Sequence, residues 1–249
     1  VERLAATIAE AAAVKADWYT YEQQPEAVSP WRHHLRKRRL YVEGRLNTLV
    51  RERGEAVGDI LDLGCGDGNN LAFLRRYAKR CWASDYNMVR LARAHARYQD
   101  AQFFLADILN YPVMDASMDV VFFNHVLEHM VEDEKALATV RRILKPDGLL
   151  ILGIPNEGSW WWQLAYRRAP HTLMTSDHVQ FYTAPIIRAK LMRQGFAVKT
   201  IHPLGWGPPD WEWDVRLRQS KLADDLFSAV GRALIPSQAS SLYVLATPA

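Results

Sequence analysis

The sequence predicts an α/β fold, a mostly parallel sheet of seven strands with helices on both faces. Between residues 56 and 156, short apolar runs alternate with stretches of helical period. The runs are nearly continuous in apolar residues, as strands buried on both faces must be. Directly after the first run stand Gly64, Gly66 and Gly68, residues that let a strand turn sharply into a helix.

The elements follow in order. Leu4 and Ile8 among alanines suggest a short helix, interrupted by Pro25 and Pro30. Ser29 as N-cap and Pro30 at the first position start a second helix, with Leu35, Val42, Leu46 and Leu49 as its apolar stripe and Gly54 and Gly58 ending it. Strands are expected at 59–63, 81–84, 102–106, 118–123 and 149–154, with helices at 70–77, 89–98 and 132–144. Acids open the last of these helices, and Arg141, Arg142 and Lys145 close it, matching the helix dipole. Residues 145–148, Lys-Pro-Asp-Gly, suggest a turn. Beyond Pro155 the alternation stops, and 157–180 is aromatic and irregular. Thr183 then caps a helix with Pro185 in its first turn, Ile187 and Leu191 facing inward and Gly195 as its stop. Strands at 196–201 and 241–246 flank an aromatic, partly helical insertion at 203–236. These last two strands lack the usual crossover helix, which allows an antiparallel pair at one edge.

All 249 residues are expected in one domain: a helical cap at 1–55, a core at 56–156, and variable segments at 157–194 and 203–240. A net charge of +3 is too small to argue for nucleic acid. No apolar run approaches the ~20 residues that span a bilayer, and residues 1–13 lack the continuous apolar stretch of a secretory signal. Two cysteines, Cys65 and Cys81, make neither a disulfide framework nor a zinc motif, so a reducing cytoplasmic setting is expected.

The chemistry concentrates at 62–68, Asp-Leu-Gly-Cys-Gly-Asp-Gly. A dinucleotide fingerprint would place its third glycine where Asn69 stands, and Asp62 before the loop suits a cationic ligand group better than a pyrophosphate. Asp85 ends the second strand about 20 residues later, where an acid commonly holds ribose hydroxyls. Asp107 ends the third. Each acid alone reads as a cap or turn residue; three at adjacent strand ends, beside a glycine loop, read as one crevice.

Residues 62–68, Asp85, Ala106-Asp107, Val126-Leu127-Glu128-His129 and the run from Arg142 to Gly148 resemble the successive motifs of class I S-adenosylmethionine-dependent methyltransferases, in the flavour of the ubiquinone-pathway O-methyltransferases. The resemblance covers about 56–155, thins over 181–196, and departs at Asp147, where a second glycine is common. It implies a Rossmann-like sheet and S-adenosylmethionine as cofactor, with S-adenosylhomocysteine as product. It places Gly64, Cys65 and Gly66 on the methionine part of the donor, Asp62 on its ammonium, Asp85 on the ribose, Tyr86 or Asn87 beside the adenine, Asp107 on the adenine amino group with Ile108 on the ring, and Asn124 and His125 beneath the sulfonium.

Methyl transfer is an in-line displacement that needs alignment more than a metal or covalent nucleophile, and the sequence shows no motif for either. If the acceptor is a hydroxyl, His129 is the first candidate base and His178 the second. His129 could equally cap a helix or pack beside the donor, and His178 could belong to a surface loop. Trp160, Trp161 and Trp162, with Trp206, Trp211 and Trp213, read as an aromatic lid over a large apolar or aromatic acceptor; Trp18, Tyr19 and Tyr21 would close the pocket from the other side, and Tyr182 would join it. Core covering and membrane-surface contact are the competing readings. Arg32, Arg36, Lys37, Arg38 and Arg39 read as a solvated helix face, as does the pair His33-His34. The expected partner is a small molecule, with no nucleic acid and no stable membrane insertion. An RNA or protein methyltransferase using the basic helix, and a donor-binding module without turnover, are the alternatives.

Overall fold

A computed structural model of the chain describes residues 20–170 and 177–249. The expected first helix, Trp18 and Tyr19 lie outside them. Seven strands, β1 (Val57–Leu63), β2 (Ala78–Asp85), β3 (Gln102–Leu105), β4 (Met118–Asn124), β5 (Leu144–Pro155), β6 (Phe196–Leu204) and β7 (Ser241–Pro248), form one sheet in the order β3-β2-β1-β4-β5-β7-β6. β1 to β5 pair in parallel. β7 runs antiparallel to both β5 and β6, so it is inserted between them and does not form the edge. β1 has β2 on one side and β4 on the other, so the chain order reverses there. That reversal opens a crevice beyond the carboxyl ends of these strands.

The helices are α1 (Arg32–Arg53), α2 (Leu71–Leu74), α3 (Met88–Arg97), α4 (Asp133–Ile143), α5 (Trp160–Arg168), α6 (Ala184–Arg193), α7 (Trp211–Arg218) and α8 (Lys221–Leu234). Strand alternation divides the core between two faces. Leu61, Val121, Phe123, Leu150 and Leu152 pack with Leu137, Val140, Ile187 and Leu191 on the side of α4 and α6. Ile60, Val120, Phe122 and Ile151 pack with Val42, Leu46, Leu71 and Ala94 on the side of α1, α2 and α3.

Several boundaries move for physical reasons. α1 starts at Arg32, and Ser29 instead turns its Oγ back to accept the Trp31 N–H at 3.1 Å. Residues 145–148 belong to β5 and do not form a free turn. Met118 pairs with Leu144 but Val120 with Leu149, so these residues are the excess of a bulge, which uses the same Pro, Asp and Gly chemistry as a turn. Within 157–180, α5 is a regular helix. The basic face of α1 is docked at Lys37, Arg38 and Arg39, while Arg32 and Arg36 are exposed as expected. Lys37 pairs with Asp224 (2.5 Å) and Asp225 (2.9 Å), Arg39 with Glu26 and Glu43, and Arg38 donates to Ser241 Oγ at 2.6 Å. His34 is buried too, and burial holds its imidazole well below the usual range.

Asp119 on β4 fastens the far end of the sheet. It accepts from Arg53 Nη1 (2.7 Å), Lys145 Nζ (2.7 Å) and the Asp59 N–H (2.9 Å). Burial would raise its pKa, but the hydrogen bonds from Lys145 and Arg53 win and bring it to about 2. A depressed carboxyl stabilises above its unfolded pKa and loses that contribution as pH falls through the folded one. Between about pH 4 and pH 2 the wild type should therefore lose thermal stability more steeply than Asp119→Asn. Equal slopes in melting curves taken across that window would remove Asp119 from the acid response.

Candidate functional site

The site begins with the bend between β1 and α2. Gly64, Gly66 and Gly68 have φ of 74°, 52° and 79°, in the left-handed region that suits glycine. A Cβ on Gly64 would stand 2.5 Å from Val126 Cγ2, so the turn after β4 can press directly on the bend. The N–H groups of Gly64 and Cys65 donate to the Ser84 carbonyl at 2.8 and 2.9 Å, which ties the bend to the end of β2.

Asp85 completes that tie. Its two oxygens accept separately from the Gly66 N–H and the Asn87 N–H, each at 2.8 Å. Burial raises its pKa, opposed by these backbone donors. Asn87 caps α3 through the Val89 and Arg90 N–H groups. Asp107 caps the short 3₁₀ turn that begins at Ile108 by accepting from the Leu109 N–H at 3.0 Å. The cap reading of Asp107 is therefore correct for one oxygen, while the residue also faces the crevice.

A cavity of about 1340 Å³ occupies the crevice. Gly64, Cys65, Gly66, Asp85, Tyr86 and Asn87 line one part of its wall, and Asp107 and Ile108 continue it. Asn124, His125, His129, Arg38 and Tyr243 line it as well. The structure thus brings the three strand ends into one hollow. Asp62 stands one layer behind the wall. It is 1 % exposed, and neither carboxylate oxygen has a hydrogen-bond partner among the described residues. Burial, with the like charge of Asp85, pushes its pKa up to about 8. Burial likewise raises the Cys65 thiol, so this cysteine serves as a small wall residue and not as a nucleophile.

The segment before α1, in which the sequence singled out Tyr21, covers the bend, and Tyr21 lines the cavity. The Gln23 N–H donates to Asp67 Oδ2 at 2.8 Å, Asn69 Nδ2 to the Gln24 carbonyl at 3.3 Å, and Arg93 of α3 to the carbonyls of Thr20 and Tyr21. Asp67, fully buried, also holds Arg90 and Arg93 at 3.4 Å. Gln23, Gln24 and Trp31 then line the cavity. Asp67→Ala should release this strap, with about 1–3 kcal/mol lost from the exposed buried donors. Faster hydrogen exchange at Gln23 is the expected reading; unchanged exchange there would assign the strap to other contacts.

Beyond β4 the backbone turns at His125 (φ 53°), whose N–H donates to the Gly153 carbonyl at 2.8 Å. Tyr243 of β7 donates to Asn124 Oδ1 at 2.9 Å, fixing the floor. His125 Nδ1 donates to Glu128 Oε1 at 3.0 Å. Burial lowers the His125 pKa; burial would raise that of Glu128, but the His125 hydrogen bond leaves it lowered. His129 sits in the 3₁₀ turn Leu127–His129 with Nδ1 at 3.2 Å from the Asp177 carbonyl. Its ring meets the His178 ring edge-on at 4.8 Å. His178 Nδ1 bonds Glu157 Oε2 at 2.6 Å; burial would lower its pKa, but the Glu157 bond leaves it raised. The two histidines, rival candidates in the sequence, thus stand side by side; Glu128 entered there only as part of the Val126–His129 motif, and no sequence signal pointed to Glu157.

Four aromatic residues expected on the acceptor side lie away from the cavity. Tyr182 is in the core, its hydroxyl donating to Asp133 Oδ2 at 2.7 Å. Trp160 is 59 % exposed, meets the Trp161 ring edge-on and does not line the cavity. Trp162 and Trp206 are buried away from it, with Trp206 Nε1 donating to the Ile235 carbonyl at 3.0 Å. These rings cover the core, and the cavity is covered by the segment around Gln23 and Trp31. His178 does not line the cavity either; it backs His129.

No helix among the described residues is long and apolar enough to cross a membrane. Residues 61–152 match the family described as methyltransferase domain. The chain is 26 % identical to a Mycobacterium tuberculosis protein named "Probable S-adenosylmethionine-dependent methyltransferase", over 77 % of this chain and 68 % of that one. It is 32 % identical to the trans-aconitate 2-methyltransferase of Escherichia coli, over 43 % of each chain. The fold is similar to a solved S-adenosylmethionine dependent methyltransferase from Mesorhizobium loti, with a TM-score of 0.57 at 19 % identity, over 80 % of this chain and 96 % of that one.

Proposed function

Because the chain is a class I S-adenosylmethionine-dependent methyltransferase, we propose that it methylates a hydroxyl oxygen of a small molecule entering beside His129 and Arg38. One observation carries this reading: a single cavity joins the Gly64–Gly66 bend and Asp85 to a polar wall of Asn124, His125, His129 and Tyr243. The Escherichia coli relative, named for trans-aconitate, supports a small acceptor.

The residues fit the donor. The left-handed glycines leave space for its close approach, and Asp62 is a buried carboxyl whose charged form a cationic group would stabilise. Asp85 would hold the ribose, Tyr86 would flank the adenine, and Asp107 and Ile108 would meet its ring, all four lining the same cavity. When bound, the donor supplies an activated methyl on a positively charged sulfur. The chain's own work is alignment and exclusion of water, and alignment can contribute ~7–11 kcal/mol. His129, on the cavity wall, meets the acceptor; His178 and Glu157 hold it from behind.

Asp62 makes the donor step sensitive to protons. With a pKa of about 8 its carboxyl is mostly neutral at pH 7. An arriving ammonium group favours the charged form and lowers that pKa, so binding should release a proton. Calorimetry in buffers of different ionisation enthalpy should show this release near pH 7, and Asp62→Asn should abolish it. Equal release in both proteins would place the titrating group elsewhere.

The reading itself is tested by titrating S-adenosylmethionine into the folded chain, then offering hydroxylated and amine acceptors and reading one added methyl by mass. Absence of donor binding overturns methyl transfer. Methylation confined to amines overturns the hydroxyl acceptor.

A further inference from the structure

Glu128, His129 and His178 form a constellation that donor binding does not use. Each offers one ligand atom, and the three atoms lie within 4.8 Å of one another. Their surroundings set them apart from an ordinary ionic cluster. Glu128 is fully buried; its Oε1 is held by His125 Nδ1 at 3.0 Å, and its Oε2 has no hydrogen-bond partner among the described residues. A buried carboxylate oxygen left unpaired is costly unless a positive charge sits against it.

The histidines are oriented as ligands are. His178 Nδ1 is fixed on the Glu157 carboxylate at 2.6 Å and His129 Nδ1 on the Asp177 carbonyl at 3.2 Å. A neutral imidazole with its Nδ1 proton on an oxygen has its lone pair at Nε2, and carboxylate or carbonyl partners of this kind are the usual second layer of a metal site. The backbone keeps the set together. The Glu128 carbonyl accepts the Val179 and Gln180 N–H groups at 2.9 and 3.0 Å, which ties the segment bearing His178 to the turn bearing Glu128 and His129.

We propose that Glu128, His129 and His178 bind one divalent first-row transition cation whose open positions face the cavity through the His129 wall. Two imidazoles and one carboxylate suit Zn²⁺, Mn²⁺, Fe²⁺ or Co²⁺ better than Mg²⁺ or Ca²⁺, which prefer all-oxygen shells. Ligand atoms about 2.0–2.2 Å from such an ion are roughly 3–4 Å apart, so the three side chains close by about 1 Å when it binds. The site's use rests on the methyl-transfer reading; its existence does not. There the cation draws in the acceptor hydroxyl oxygen as a Lewis acid and eases loss of its proton to water. The oxygen lone pair then forms the C–O bond as the C–S bond breaks, leaving S-adenosylhomocysteine, and no oxidant is involved.

Cobalt(II) is the probe, titrated into the full chain and followed by visible absorption and melting temperature. One equivalent should give saturable d–d bands, raise the melting temperature and be displaced by zinc. Glu128→Gln and His178→Gln should each abolish the bands, and Glu157→Gln should weaken binding about 10–100-fold. His95→Gln, on α3 against Phe103, should bind as the wild type does. Donor titration of the same samples confirms that the variants are folded. No bands and no melting shift at excess cobalt, or bands that survive in the Glu128→Gln/His178→Gln double variant, overturn the site. Donor binding without cobalt binding sinks the cation alone, whereas loss of donor binding in the wild type sinks the transfer reading.

Discussion

Asp85→Asn is expected to lower affinity for S-adenosylmethionine by about 10–100-fold and to lower the melting temperature as well, because one carboxylate holds two backbone donors and faces the ligand. In the wild type each oxygen accepts one N–H, from Gly66 on the bend and from Asn87 at the start of α3. An amide keeps one acceptor and turns two protons toward the other donor. Flipping the amide only exchanges which N–H is left unpaired, so a buried donor loses its partner in either orientation, at about 1–3 kcal/mol. The bend then loses its tether to β2, and the ribose hydroxyls lose a charged acceptor. Calorimetric titration beside thermal melting separates the two effects. A variant that melts lower but binds the donor as before would make Asp85 purely structural.

This residue also shows what was legible in the chain. Asp85 follows an apolar run and precedes a helical one, and the bend it holds lies 19 residues earlier, so local pattern and spacing were enough. The parallel strands were readable from local pattern too: β1 and β4 are short buried apolar runs, although they pair across some 60 residues of sequence. What failed depended on distant pairing. Lys37 of α1 looked solvated because its acid Asp224 comes 187 residues later. Asp67 carried no role of its own in the sequence because its strap partner, Gln23, precedes it by 44 residues. The tryptophans were correctly marked as unusual, but hydrophobicity does not say which side of a sheet a ring will cover. The histidines carried a similar ambiguity. Nothing in the spacing of His129 and His178 reveals that the Glu128 carbonyl clamps them side by side.

Arg218 is the side chain whose loss is expected to cost most stability, through acids that lie close to it in the sequence. It is 1 % exposed and bonds Asp214 Oδ2 at 2.8 Å, Asp224 Oδ1 at 3.5 Å and Ser240 Oγ at 3.2 Å. Its guanidinium also lies 5.4 Å from the centre of the Trp31 ring. Both acids are equally buried, and burial already raises the pKa of Asp214 against the pull of Arg218. Arg218→Met keeps most of the volume and removes the charge, leaving two buried carboxylates with Lys37 as an ion-pair partner for Asp224. Removing one partner of a buried set typically costs about 3–5 kcal/mol, because the remaining charge cannot return to water. Urea denaturation should show that loss, and adding Asp214→Asn should restore part of it by removing the stranded charge. A loss under about 1 kcal/mol would mean that α7 and α8 are held by apolar packing instead. The effect should also reach the site. Trp31 lines the cavity and rests against Arg218, so the double variant, though more stable than the single one, should still bind the donor and acceptor less tightly than the wild type.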